Sequence, residues 1–167
     1  MAANRRAVFD AELDRRGVPP AVSCEDPVAG TWVSHDFLEP DGERTDWKLR
    51  VARAPGKAGR YVGKIDNHSW YGARDERESA PKTCADASSS YRVTMVAEGE
   101  LGEGGQLTLD GTSWKPSGAA CGPLLQDGGY LLDHFSGEVS DSRFTSVNND
   151  GGRMVEHPVA FRRISCK

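Results

Sequence analysis

The sequence lacks the features that mark membrane-spanning and nucleic-acid-binding proteins. No apolar run approaches the roughly 20 residues that a helix needs to cross a bilayer. There is also no basic stripe, because 21 Lys and Arg are interspersed with 25 Asp and Glu and the net charge is −4. Neither nucleic acid nor a membrane is therefore an expected partner.

A secretory signal is also missing from the start of the sequence. Segment 1–20 carries basic residues but no apolar region of the kind that signal peptides contain. Two interpretations stay open: a cytoplasmic chain, or an excised domain to which Met1 was added.

No motif in the sequence indicates a particular reaction. There is no G-x-S-x-G elbow and no phosphate-binding loop, and the four histidines (His35, His68, His134 and His157) show no metal-ligand spacing. Asn148–Gly152 is not a calcium loop, since His157 stands where such a loop needs glutamate. We therefore predict a non-enzymatic protein with no catalytic residues, no metal and no cofactor. A small metal-dependent or hydrolytic enzyme, with ligands converging from separate strands, is an alternative.

The cysteines are few, even in number and far apart. Cys24, Cys84, Cys121 and Cys166 form no C-x-x-C pair, which disfavours a zinc ribbon or a thioredoxin-type site. Two structural disulfides, buried free thiols and a Cys/His metal site remain possible. Disulfides would require an oxidising compartment, whereas the N-terminus shows no export signal, so the localisation is left open.

What the sequence does contain is a short segment with helical spacing of its apolar residues, followed by a different spacing. A chain of 167 residues is most simply one domain. Residues 4–17 have helical spacing, with an apolar stripe of Ala7, Val8, Ala11 and Leu13, and Gly17 ends the pattern. We assign 1–20 to a helix and linker, which docks on the domain or leads to something upstream, and 21–167 to one β domain.

From residue 31 onward the pattern alternates with period two. The predicted strands are 31–38, 46–53, 60–66, 91–99, 106–114, 130–139, 143–147 and 155–164. Glycine-containing turns, such as Pro40-Asp41-Gly42, separate many of them, and Asn148–Gly152 is predicted to be the last hairpin turn. About eight strands at this spacing favour an all-β antiparallel sandwich or barrel.

The first strand resembles that of the calycins, the lipocalin and avidin-like barrels. Gly30-Thr31-Trp32 matches the G-x-W of their first strand, and the chain ends in an arginine-bearing strand, FRRISC. The resemblance implies an up-and-down barrel of about eight antiparallel strands with a short N-terminal helix. It also implies that Trp32 stacks on Arg162 or Arg163 and seals one end.

This barrel would bring the cysteines together in pairs. The first strand of an up-and-down barrel pairs with the last, so Cys24, before the first strand, would meet Cys166, after the last. Cys84 and Cys121 lie in two long loops and would form the second pair.

The densest cluster of polar and aromatic residues is DNHSWYG, residues 66–72. We predict a binding site at the barrel mouth with the lining Trp47, Asn67, His68, Trp70 and Tyr71, and with loops 73–90 and 115–129 as its rim. The alternative is that Trp70 and Tyr71 are buried in the core, while the polar residues form hydrogen bonds with backbone groups.

The first functional hypothesis is therefore a monomeric module that binds a small molecule or peptide. A second is an accessory domain with a filled core, which docks a protein partner through the N-terminal helix or loop 73–90. Arg74, Arg77 and Lys82 in that loop also offer cleavage sites to a trypsin-like protease.

Overall fold

The computed structural model describes residues 2–38, 42–71, 80–84, 89–118, 120–121, 129–152 and 154–167. A helix, α1 (Ala2–Arg15), precedes eight strands. The strands are β1 (Gly30–Leu38), β2 (Glu43–Arg53), β3 (Arg60–Tyr71), β4 (Ser90–Leu101), β5 (Gln106–Pro116), β6 (His134–Ser140), β7 (Arg143–Asn148) and β8 (His157–Ser165).

The eight strands form one closed antiparallel barrel in which each strand pairs with its neighbours in sequence. β8 also pairs with β1, so the sheet closes on itself. The predicted fold class is confirmed. Period-two alternation explains it: on β2, Trp47, Leu49 and Val51 are buried while Lys48 and Arg50 are exposed.

The two ends of the barrel differ in the length of their connections. At the end we call the closed end, β1 begins and the connections span 54–59, 102–105 and 141–142. At the opposite end, the open end, they span 39–42, 72–89, 117–133 and 149–156. The three longest connections, 72–89, 117–133 and 149–156, therefore lie at the open end.

Apolar side chains fill the closed half of the interior. Phe161 packs edge-to-face on Phe135, with ring centroids 5.0 Å apart, and stacks on Phe144 at 5.7 Å. The surrounding buried core includes Leu49, Val51, Tyr61, Ile65, Ala97, Leu107 and Leu109. This half is a packed core of the kind that small barrels use for stability.

Arg163 seals the closed end beneath Trp32. Its guanidinium lies 4.6 Å from the Trp32 ring centroid and is fully buried. It donates hydrogen bonds to the carbonyls of Asp26 (2.6 Å), Ala29 (3.2 Å) and Asp141. The predicted stacking is confirmed, and Arg163 is the arginine that makes it.

Gly30 is required at the point where β1 meets β8. Its φ is +138°, a conformation that side chains disfavour, and a Cβ there would clash with the carbonyl oxygen of Ser165. Gly30 and Trp32 of the G-x-W pattern thus both contribute to closing the barrel where β1 meets β8.

The other arginine of the pair, Arg162, faces outward and anchors α1. It makes ion pairs with Asp14 (2.7 Å) and Asp10 (2.9 Å). Only one member of the predicted apolar stripe is buried: Leu13 is 1% exposed, whereas Val8 is 66% exposed. The helix therefore contacts the barrel through Leu13 and these ion pairs, whereas Ala7, Val8 and Ala11 of the predicted stripe are exposed.

Both predicted disulfides are present. Cys24–Cys166 joins the two chain ends at the closed end, with Cα atoms 5.7 Å apart. Cys84–Cys121 joins the 72–89 and 117–133 connections at the open end, with Cα atoms 5.2 Å apart. In the chain-entropy model, sequence separations of 142 and 37 correspond to about 5 and about 4 kcal/mol of stabilisation.

Several predicted boundaries shift. The strand predicted over 130–139 is observed as β6 (His134–Ser140), because Tyr130 to Asp133 lie outside the ladder. The last turn is confirmed for residues 149–152, whereas Asn148, its predicted first residue, is the buried last residue of β7. Gly151 has a φ of +73°, and the Asp150 carboxylate accepts from the Gly152 and Met154 amides. In the Pro40-Asp41-Gly42 turn, Pro40 and Asp41 lie outside the described residues, and Gly42 has a φ of +71°.

In the part of the chain that the structure describes, no helix is long and apolar enough to cross a membrane.

We expect Arg163→Lys to destabilise the barrel by about 2 kcal/mol or more, because lysine keeps the charge but cannot reach three carbonyls at once. Urea unfolding would measure the loss. Lys64→Arg, on the exposed outer face, is the control and should leave the free energy of unfolding unchanged. Equal stability of Arg163→Lys and the native chain would contradict the closure role.

Candidate functional site in the open half of the barrel

The interior changes from apolar to polar towards the open end. By strand alternation, the inward side chains there come from the open-end parts of β1 to β4, β7 and β8, together with the segment before β6. Six of these polar residues are almost fully buried: Glu43, Thr45, Asn67, Ser69, Asp133 and Asn148. Buried polar groups cost free energy unless they are hydrogen-bonded, so their contacts define the site.

Asp133 is the centre of the larger network. Its carboxylate accepts hydrogen bonds from the Tyr130 hydroxyl (2.6 Å) and the Asn148 amide (2.6 Å). Trp47 Nε1 (3.3 Å) and Asn67 Nδ2 (3.4 Å) donate to it at longer range. Burial raises the pKa of the Asp133 carboxyl, and these donors oppose that rise. All four donors are neutral groups.

Asn148 is itself oriented by the backbone. Its Oδ1 accepts the His134 amide N–H at 3.0 Å, which leaves Nδ2 to donate to Asp133. The network is thus positioned by the β6–β7 ladder.

Glu43 is the second buried carboxylate of the interior. The hydroxyls of Tyr91 and Tyr71 donate to its two oxygens at 3.1 and 3.2 Å. Burial raises the pKa of Tyr91, and Glu43 raises it further, so the phenol stays neutral and acts as a donor.

A chain of hydroxyl and amide groups runs between the two carboxylates. The Ser69 hydroxyl donates to Asn67 Oδ1 at 2.9 Å and lies 2.8 Å from the Thr45 hydroxyl. Asn67 Nδ2 in turn donates to the Tyr130 hydroxyl at 2.9 Å as well as to Asp133.

Half-buried aromatic rings surround this polar cluster. Tyr130 lies 5.5 Å from Trp114 and 5.9 Å from Tyr91, measured between ring centroids. The open half therefore combines buried carboxylates, amide groups and aromatic faces, which is the mixture that small-molecule sites use.

The structure divides the five predicted lining residues between two faces of the sheet. Trp47, Asn67 and Tyr71 point into the barrel and contact the two carboxylates. His68 and Trp70 lie at alternate positions of β3 and point outward. Trp70 is nevertheless 0% exposed, with its ring 5.1 Å from that of His68.

The residues that sequence reasoning missed are the carboxylates and their amide partner. Asp133 stands outside the period-two ladder, Glu43 follows a predicted turn, and Asn148 sits at the start of the segment assigned to the last turn. Only the alternation on β7, where Phe144, Ser146 and Asn148 share a face, signals that Asn148 is inward. The predicted rim falls largely outside the described residues, including Arg74 and Arg77; Lys82 is described and exposed.

Three of the four histidines are paired with carboxylates on different parts of the barrel. His35 binds Asp46 (2.6 Å), His134 binds Asp110 (3.0 Å), and His157 binds Asp36. Across the described ranges no group of three His, Cys, Asp or Glu side chains is placed to hold a metal ion.

The pair His157–Asp36 spans the seam between β8 and β1 on the interior face, because His157 is paired with Asn148 and Asp36 with Thr45 in the ladder. Backbone pairing of β1 with β8 runs from Thr31–Ser165 to Val33–Arg162. Nearer the open end, His157 on β8 reaches Asp36 on β1. Asp36 raises the pKa of His157, so the protonated form is favoured by folding.

No family model matches the chain, and no curated protein matches it at a significant level. Function must therefore be inferred from the chemistry of the barrel itself.

The His157–Asp36 pair predicts that the free energy of unfolding depends on pH. Because the folded pKa of His157 lies above its unfolded value, its contribution is complete below about pH 6.5 and is lost as pH rises through the folded pKa. His157→Gln should therefore destabilise the protein more at about pH 6 than at about pH 9, as measured by urea unfolding. His134→Gln, whose pair with Asp110 is exposed, is the control. An equal loss at both pH values for His157→Gln would rule out the protonated seam contact.

Proposed function

We propose that this protein is a non-enzymatic binding module that takes a small molecule at the open end of its barrel, and that the preferred ligand carries a protonated amine. The observation that supports this most directly is the pair of buried carboxylates, Asp133 and Glu43, in an interior that is otherwise sealed and apolar at its far end.

A barrel that served only as a scaffold would gain stability from apolar side chains at these positions. Burying a carboxylate costs several kcal/mol by order of magnitude, which neutral hydrogen bonds offset only in part. Two such groups at the end with the long connections indicate a site kept for recognition.

The ligand class follows from the negative charge of the buried carboxylates and from the neutral character of the groups that donate to Asp133. Among the residues that the structure describes, the groups that donate to Asp133 are neutral, so an ammonium would supply the compensating charge that these contacts do not. The ring faces of Tyr91, Tyr130 and Trp114 add a cation–π environment for the same group. The amine of a small molecule or of a peptide N-terminus has this chemistry.

The second hypothesis, an accessory domain that docks a partner through the helix, has less support. α1 is already engaged by its own barrel through Arg162 and Leu13. Loop 73–90 lies mostly outside the described residues.

Isothermal titration with 2-phenylethylamine and its uncharged analogue 2-phenylethanol tests the proposal. We expect the amine to bind and the alcohol to bind at least about tenfold more weakly, since a buried charge-assisted contact contributes more than 1 kcal/mol. Asp133→Asn and Glu43→Gln should each weaken amine binding by a similar factor.

Glu138→Gln on the outer face of β6 is the matched control, because it removes the same charge without touching the interior. Equal binding of amine and alcohol would contradict the proposed ligand class. Amine binding that survives Asp133→Asn would place the ligand elsewhere.

A further inference from the structure

A second concave site lies on the outside of the barrel. A groove of about 530 Å³ runs between the end of α1 and the outer face of β1 to β4. Its volume is within the range of small-molecule sites. Asp133 and Glu43 do not line it, although Trp47 and Asn67, which donate to Asp133 from the interior, also border it.

The groove has an apolar side. Leu13 from α1, Val18 from the segment after it, and Val33 from β1 line this side. Leu13 is almost fully buried, while Val18 and Val33 are half-buried, so apolar surface is available to a ligand.

The two carboxylates of the groove already have partners. Asp46 binds His35 at 2.6 Å. Asp66 binds Arg50 and accepts the Thr94 hydroxyl at 2.7 Å. Both carboxylates are therefore already hydrogen-bonded within the protein.

Two cations of the groove lack such partners. Lys48 on β2 and Arg92 on β4 line it, and neither forms a hydrogen bond or ion pair through its side chain with any described residue. They flank β3, where Asp66 is the cross-strand neighbour of Lys48, and His68 that of Arg92.

His68 adds a neutral polar group between them. Burial, together with the positive charge of Arg92, lowers the pKa of His68 to about 4. Its Nε2 lies 3.3 Å from the Ser90 hydroxyl, and when that hydroxyl donates, Nδ1 carries the proton and becomes a donor.

We propose that the groove is a second binding site, specific for an amphipathic organic anion. The apolar part of the ligand packs on Leu13, Val18 and Val33. Its carboxylate, sulfonate or phosphate group lies between Lys48 and Arg92, where two cations provide charge-assisted hydrogen bonds.

The test compares two fluorescent probes of similar shape: 8-anilinonaphthalene-1-sulfonate, which is anionic, and N-phenyl-1-naphthylamine, which lacks the sulfonate. The double variant Lys48→Gln/Arg92→Gln should bind the sulfonate about tenfold more weakly or worse, since each tenfold is about 1.4 kcal/mol. Binding of the uncharged probe should be unchanged. Val18→Ser should weaken the binding of both probes.

Lys57→Gln/Lys64→Gln is the matched control, because it removes two exposed positive charges outside the groove and should bind both probes as the native chain does. Asp133→Asn reports on the interior and should leave sulfonate binding intact. The proposal is overturned if the groove variant binds the sulfonate as tightly as the control. It is equally overturned if Asp133→Asn abolishes sulfonate binding, since the probe would then lie inside the barrel.

Discussion

The contact of Arg163 with Trp32 is the constraint on which the rest of this structure depends. A twisted sheet encloses an interior only when its last strand returns to its first, and these two residues sit on those strands. The same guanidinium also holds the carbonyls of Asp26, Ala29 and Asp141, so it fixes the segment that covers the closed end. A disulfide between Cys24 and Cys166 then ties the two chain ends at the same place.

Closure of one end makes a polar interior possible at the other. The aromatic cluster of Phe135, Phe144 and Phe161 supplies apolar burial in the closed half. Asp133 and Glu43 reduce stability in the open half unless they are hydrogen-bonded, and tyrosine hydroxyls donate to both of them. The division of the interior into an apolar half and a polar half is thus a consequence of where the sheet is sealed.

The same strands serve two chemically opposite surfaces. On β2, the side chain of Trp47 faces the interior and that of Lys48 the outer surface; on β3, the same holds for Asn67 and His68. Successive residues of a strand point to opposite sides, so one sheet separates an interior with buried carboxylates from an outer groove with available cations. A protein with both sites would discriminate ligands by charge according to the face they approach.

Local alternation determined the strand count and an antiparallel sandwich or barrel, because one chain records that pattern directly. The closed barrel, the pairing of the cysteines and the contact of Trp32 with an arginine came from the resemblance of Gly30-Thr31-Trp32 to the first strand of the calycins. The sequence left Arg162 and Arg163 undistinguished, and it grouped His68 and Trp70 with Asn67. Only the tertiary structure decided these points, because the side of the sheet that a residue faces depends on register. Asp133 and Asn148 meet for the same reason: the β6–β7 ladder brings them together, although neither carries a local motif.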